Sequence, residues 1–79
     1  MVTVMAEKKM MTVEGLKKLE DELHERKVII RKEIADKIKE AREQGDLSEN
    51  AEYDAARDEQ RDNEAKIEEL ENLIKNAVV

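Results

Sequence analysis

The sequence predicts an all-α fold, a long antiparallel two-helix coiled-coil hairpin. Of its 79 residues 46% are charged, none is proline and Tyr53 is the sole aromatic, a composition of long solvated helices that effectively excludes an ordinary sheet. Two long stretches carry apolar side chains at helical spacing. Between them lies one short stretch, Gly45 to Tyr53, where the chain can turn back on itself.

The first helix has a legible start in Met11-Thr12-Val13-Glu14-Gly15-Leu16. Thr12 can cap, Glu14 lies in the first turn where the helix dipole favours negative charge, and Met11 and Leu16 occupy the two hydrophobic staple positions. The helix is therefore expected to begin near Val13. Its stripe runs Leu16, Leu19, Leu23, Ile30, Ile34, Ile38, Ala41, with Lys27 in the one gap. Leu19, Ile30 and Ala41 recur at the eleven-residue interval that departs from a strict heptad, which predicts a nearly straight rod. At 1.5 Å per residue, about thirty residues span roughly 45 Å.

The second helix carries Tyr53, Ala56, Gln60, Asn63, Ile67, Leu70, Ile74 and Ala77 on one seam, alternating three and four residues apart. Facing the stripes antiparallel sets Ala41 opposite Tyr53, Ile38 opposite Ala56, Ile34 opposite Gln60, Ile30 opposite Asn63 and Lys27 opposite Ile67. Leu23 then meets Leu70, Leu19 meets Ile74 and Leu16 meets Ala77, and the bend falls at residues 46 and 47. Alanines let the helices approach near the tip, while leucine and isoleucine crowd the open end. Gln60 and Asn63 make the middle the expected soft part, since polar seam residues cost stability and fix register. Charged residues such as Glu20, Asp21 and Glu22 on one helix and Glu68, Glu69 and Glu71 on the other read as solvated outer faces.

Residues 1–11 read as an N-terminal extension without an apolar run long enough for a signal peptide core or a membrane span, and 12–79 as the coiled coil with its tip at 45–53. Ala77-Val78-Val79 is apolar with nothing in the sequence to cover it, which suggests that the polypeptide continues into another domain. A formal charge of -6 argues against general affinity for duplex DNA or anionic membranes. The lack of cysteine removes disulfides and thiolate metal sites and fits an intracellular, cytoplasmic protein.

The tip is acidic. Glu43, Asp46, Glu49, Glu52 and Asp54 fall between residues 43 and 54 with no lysine or arginine among them. Asp46 and Glu49 could converge on Mg²⁺, which takes oxygen ligands, keeps several waters and is commonly held by one or two carboxylates completed by substrate phosphates. Two carboxylates bind weakly by themselves, so such a pair makes most sense carried into the active site of a second macromolecule. The same residues also suit a plainer reading: Asp46 or Ser48 caps the second helix, Glu49 and Glu52 complement its dipole, and Gly45 ends the first helix. An EF-hand starting at Asp46 fails at Ala51 and Arg57, His24 has no His or Cys partner for zinc, and no phosphate loop or nucleophile-base pair occurs. The chain is not expected to be an enzyme on its own.

The strings Thr12-Val13-Glu14-Gly15-Leu16-Lys17-Lys18-Leu19, Glu22-Leu23, Ala41 to Tyr53 and Ala55-Ala56 closely resemble the N-terminal coiled-coil domain of the bacterial Gre transcript cleavage factors. The resemblance covers essentially all of residues 12–79. It implies a hairpin that enters the secondary channel of bacterial RNA polymerase and stimulates the polymerase's own cleavage of backtracked RNA, rescuing arrested complexes. In that setting Asp46 and Glu49 help hold a Mg²⁺ shared with the polymerase, and paired ions stabilise the attacking and leaving oxygens. Ser48, Asn50 and Tyr53 are then tip-shaping or contact residues.

Lys37, Arg42, Arg57 and Arg61, with Lys32 and Lys39, are candidates for contact with the nascent RNA 3′ end or the channel wall; ordinary ion pairing is their alternative reading. Neither a membrane nor a specific DNA sequence is implied as a partner. Three departures are expected to matter: Arg31-Lys32-Glu33-Ile34 lacks the family's usual proline, which straightens the helix if anything; Asp54 replaces a commoner histidine; and these 79 residues are not expected to include the family's C-terminal globular domain. A channel-binding inhibitor of the same fold and a purely structural coiled coil are the alternatives.

Overall fold

A computed structural model describes residues 9–45 and 50–79. Helix α1 spans Val13–His24, a π-helical turn spans Glu25–Ile30, and α2 spans Arg31–Glu43. The residues at both junctions keep right-handed helical backbone angles, so these segments form one continuous first arm. Helix α3, Ala51–Lys75, forms the second arm, and its 25 residues make a rod of roughly 37 Å. The expected all-α hairpin is thus observed, 49 Å in its longest dimension and 11 Å in its thinnest.

Local chemistry starts each arm where the sequence indicates. Thr12 has extended backbone angles and its Oγ1 accepts the Gly15 N–H at 2.9 Å, leaving Glu14 exposed in the first turn. Met11 and Leu16, the staple pair, are both partly covered.

The core lies along one seam. Its buried members are Ile34 and Ala41 on α2, and Ala56, Asn63, Ile67 and Leu70 on α3, all at expected seam positions. Leu70 is the most completely enclosed, and full burial of a leucine contributes about 1.5–3 kcal/mol. Cross-arm ion pairs flank the seam with antiparallel numbering. Arg31 grips Glu64 through two bonds of 2.8 and 2.7 Å, Lys37 meets Glu59 at 3.1 Å and Lys27 meets Glu71 at 3.2 Å. Each is about half exposed and worth roughly 0–1 kcal/mol, so together they specify alignment more than stability.

The structure corrects three details of the expected seam. Gln60 lines a groove with Ile34 but is exposed, not buried in the seam. Lys27 is also exposed; the gap between Leu23 and Ile30 is filled by the half-buried Arg26. Finally, the first arm is not uniform α-helix. Its wider turn lies just before the proline-free stretch at Lys32, and there the Arg31 N–H reaches back five residues to the Arg26 carbonyl. That carbonyl also accepts from Asn63 Nδ2 at 3.1 Å, while Arg26 Nη1 donates to Asn63 Oδ1 at 3.1 Å. The buried amide at the middle of the hairpin is therefore satisfied at both ends. On the outer side of the same turn Val28 and Ile29 are exposed.

At the open end Lys9–Met10 (β1) pairs in parallel with Ala77–Val78 (β2), and the Met11 N–H donates to the Val78 carbonyl at 2.9 Å. This two-residue ladder joins a stretch read as an extension to the apolar C-terminal residues and partly covers Ala77 and Val78, leaving Val79 exposed. Among the described residues no helix is long and apolar enough to cross a membrane.

Candidate functional site at the hairpin tip

Near the tip the side chain of Asn50 bonds to both arms. Asn50 has extended backbone angles and its Oδ1 accepts the Tyr53 N–H at 3.1 Å, which makes it the N-cap of α3. Its Nδ2 donates to the Ala41 carbonyl at 2.7 Å, a short bond to the last turn of α2. The orientation of the amide is fixed by its partners, since a carbonyl can only accept and an N–H can only donate. The cap of α3 is thus Asn50, while Asp46 and Ser48, the expected caps, lie outside the described residues. The Asn50 carbonyl, in turn, accepts from the Asp54 N–H at 3.1 Å.

The end of α2 is closed by backbone geometry. The Gln44 N–H donates to the Ala41 carbonyl and the Gly45 N–H to the Arg42 carbonyl, both at 3.2 Å, and Gly45 has φ +110°. That angle suits glycine as the helix terminator. The Ala41 carbonyl therefore accepts twice, from its own helix end and from Asn50, using both lone pairs. Beneath it Ala41 and Ala56 are buried, which lets the arms approach closely.

Tyr53 stands in the first turn of α3, half-buried, with its hydroxyl oxygen accepting from Arg57 Nη1 at 3.1 Å. The guanidinium carbon lies 5.9 Å from the ring centroid, at the outer limit of a cation–π contact, so the hydroxyl bond dominates. Hydrogen bonding from Arg57, and next from Arg42 across the seam, holds the phenol below its usual pKa by favouring the phenolate. The other basic candidates point elsewhere: Lys37 pairs with Glu59, Arg61 with Asp58 and Lys32 with Asp36. Arg42 and Arg57 converge on Tyr53 below the tip, whereas Lys37 and Arg61 are held by carboxylates along the shaft.

Asp46, Ser48 and Glu49 lie outside the described residues, as does the expected bend at 46 and 47. Glu52 and Asp54 are exposed in the first turn of α3, where the helix dipole favours them. Among the described residues no group of three or more His, Cys, Asp or Glu side chains is placed to hold a metal ion, so the Mg²⁺ expectation rests on Asp46 and Glu49. Sequence reasoning named Asn50 without its double role. The one available signal was its position three residues before Tyr53, the spacing of an N-cap and its N3 amide.

An antiparallel helical hairpin whose second arm begins at a capping asparagine bonded to the first arm is an elongated coiled-coil domain. The chain belongs to the family described as transcription elongation factor, N-terminal, whose model matches residues 9–79. It is 71% identical over 76 residues to the transcription elongation factor GreA of Lachnoclostridium phytofermentans, an alignment covering 95% of this chain and 48% of that protein. The GreA of Clostridium perfringens is 60% identical over 76 residues, with the same coverage. The GreA of Bacillus cereus is 58% identical over 69 residues, covering 87% of this chain and 44% of that protein. The chain thus spans about half the length of the relatives it matches.

Proposed function

We propose that this domain enters the secondary channel of bacterial RNA polymerase and stimulates the polymerase's own cleavage of backtracked RNA, releasing arrested elongation complexes. The observation that carries the reading is the clasp at the tip. Ala41 and Asn50, nine positions apart, are joined by a 2.7 Å bond, so the acidic stretch between them is anchored at both ends on a narrow hairpin. Membership of the elongation-factor family supports the same reading.

In this reading Asp46 and Glu49 supply carboxylate oxygens toward a Mg²⁺ shared with the polymerase, and Ser48 shapes the segment between them. The ion, when bound, supplies charge stabilisation for hydrolysis of a phosphodiester. The domain contributes ligands and placement, and the active site belongs to the polymerase. Arg42 and Arg57, gathered on Tyr53, are the basic groups best placed below the tip to meet the RNA 3′ end, with Lys37 and Arg61 further down the shaft.

The test is a cleavage assay on stalled elongation complexes with wild type, Asp46→Asn and Glu49→Gln. Each variant should keep its helical circular dichroism and lose stimulated cleavage. Wild-type cleavage by both variants would refute the assigned roles, and inhibition by the wild type would favour a channel-blocking factor instead.

A further inference from the structure

We propose that the wider turn at Glu25–Ile30 is a register adjuster, which takes up one residue that the first arm carries in excess of the second. The two facing stripes have eight positions each. From Leu16 to Ala41 the first arm covers them in 25 steps, whereas the second, from Tyr53 to Ala77, needs 24. The second arm is unbroken α-helix over Ala51–Lys75, so the difference has to be absorbed in the first. Were the first arm regular α-helix throughout, its stripe would end about 1.5 Å and about 100° out of step with that of α3.

The wider turn removes this mismatch at one bond. The Arg31 N–H donates to the Arg26 carbonyl, where a regular helix would bond the Lys27 carbonyl, and so closes a turn with one residue more. Both ends of that turn are tied to the other arm. The Arg26 carbonyl accepts from Asn63 Nδ2, and the Arg31 guanidinium makes two bonds to Glu64. The surplus lies on the outer side, where Val28 and Ile29 are 53% and 51% exposed and neither belongs to the seam. On the near side of the turn Leu23 is half-buried and on the far side Ile34 is buried, so the stripe continues across it. The arms then reach the tip in step, with the Ala41 carbonyl beside Asn50. One residue can therefore be removed from the first arm at this turn without disturbing the seam, and not elsewhere along it.

Deletion of Val28 tests this, with deletion of Ala35 as the control, since both residues are exposed and uncharged. Without Val28 the Arg31 N–H and the Arg26 carbonyl stand four residues apart, so the same bond closes an ordinary α-turn and every seam residue keeps its place. Without Ala35 the buried Ile34 and Ala41 fall about 100° out of step, and one of them leaves the seam. By circular dichroism the protein lacking Val28 should melt within about 4 °C of wild type, and the protein lacking Ala35 at least about 10 °C lower. Nuclear magnetic resonance couplings across hydrogen bonds read the key contact directly. The Arg31 amide nitrogen should couple to the Arg26 carbonyl carbon in wild type and in the protein lacking Val28 alike. A wild-type coupling to Lys27 would mean a regular helix and overturn the proposal. A protein lacking Val28 that is as unstable as the one lacking Ala35, or equal tolerance of both deletions, would overturn it as well, because the surplus residue would then not be held at this turn.

Discussion

Replacing Asn63 by alanine should destabilise the hairpin by about 2 kcal/mol. Asn63 is 4% exposed, and its amide makes two bonds to Arg26, accepting from the guanidinium and donating to the backbone carbonyl, both at 3.1 Å. A net contribution of about 1 kcal/mol per part-buried hydrogen bond gives this figure, and a small cavity adds to it. For a domain of this size 1 kcal/mol corresponds to a shift of about 4–8 °C, so the melting midpoint should fall by roughly 8–16 °C. Arg26→Ala removes only one of the two bonds, because the carbonyl remains. The double-mutant cycle between Asn63→Ala and Arg26→Ala should therefore return a coupling of about 1 kcal/mol, half the loss at Asn63. Thermal and urea unfolding by circular dichroism measure all four proteins. A coupling near zero, or an Asn63→Ala variant melting within about 3 °C of wild type, would show that the polar centre of the seam is not held as described. Asn63→Leu completes the set: an apolar replacement leaves no orphaned amide and should keep most of the stability while weakening the choice of alignment.

At Gly45, substitution by alanine meets open space but a φ of +110° that L-residues rarely adopt, so the loss should be about 1–2 kcal/mol by unfolding with little change in helix content. Glu64 titrates below the usual carboxylate range, chiefly through its hydrogen bonds from Arg31. A depressed acid stabilises the fold above its unfolded pKa and loses that contribution as pH falls through the lower folded value. Urea midpoints from pH 6 to pH 2 should therefore fall on the acid side, and Glu64→Gln should flatten that part of the curve. The phenol of Tyr53 should titrate below a free tyrosine in ultraviolet absorbance, and Arg57→Met should move it back toward the ordinary value of about 10, since Arg57 is the larger of the two causes.

Regular periodicity made most of the fold readable. Thr12 as cap, Val13 as first helical residue and the burial of Ile34, Ala41, Ala56, Asn63, Ile67 and Leu70 all follow from spacing and short-range chemistry. The π-turn did not follow, because Leu23 and Ile30 are seven apart whether the turn between them is regular or widened. The Arg26 carbonyl at its start also accepts from Asn63 on the other arm, a contact that the periodicity of one helix does not reveal. Gln60 was misplaced for a related reason: alternating three- and four-residue steps assign a seam position wherever they land, while the fold leaves that side chain in solvent beside the Arg31 and Glu64 pair. At the tip, Asp46, Ser48 and Asn50 are equally good caps by composition. That Asn50 caps α3 and also donates to the Ala41 carbonyl is a property of the folded hairpin.

The short ladder at the open end gives the molecule a preferred response to force. Lys9–Met10 and Ala77–Val78 run the same way, so tension applied through the backbone before residue 9 and after residue 78 pulls from opposite ends of the ladder. The load is then shared by its bonds in shear, including the Met11 to Val78 bond, and does not peel them one at a time. Pulled this way, the base of the hairpin slides reluctantly and does not unzip.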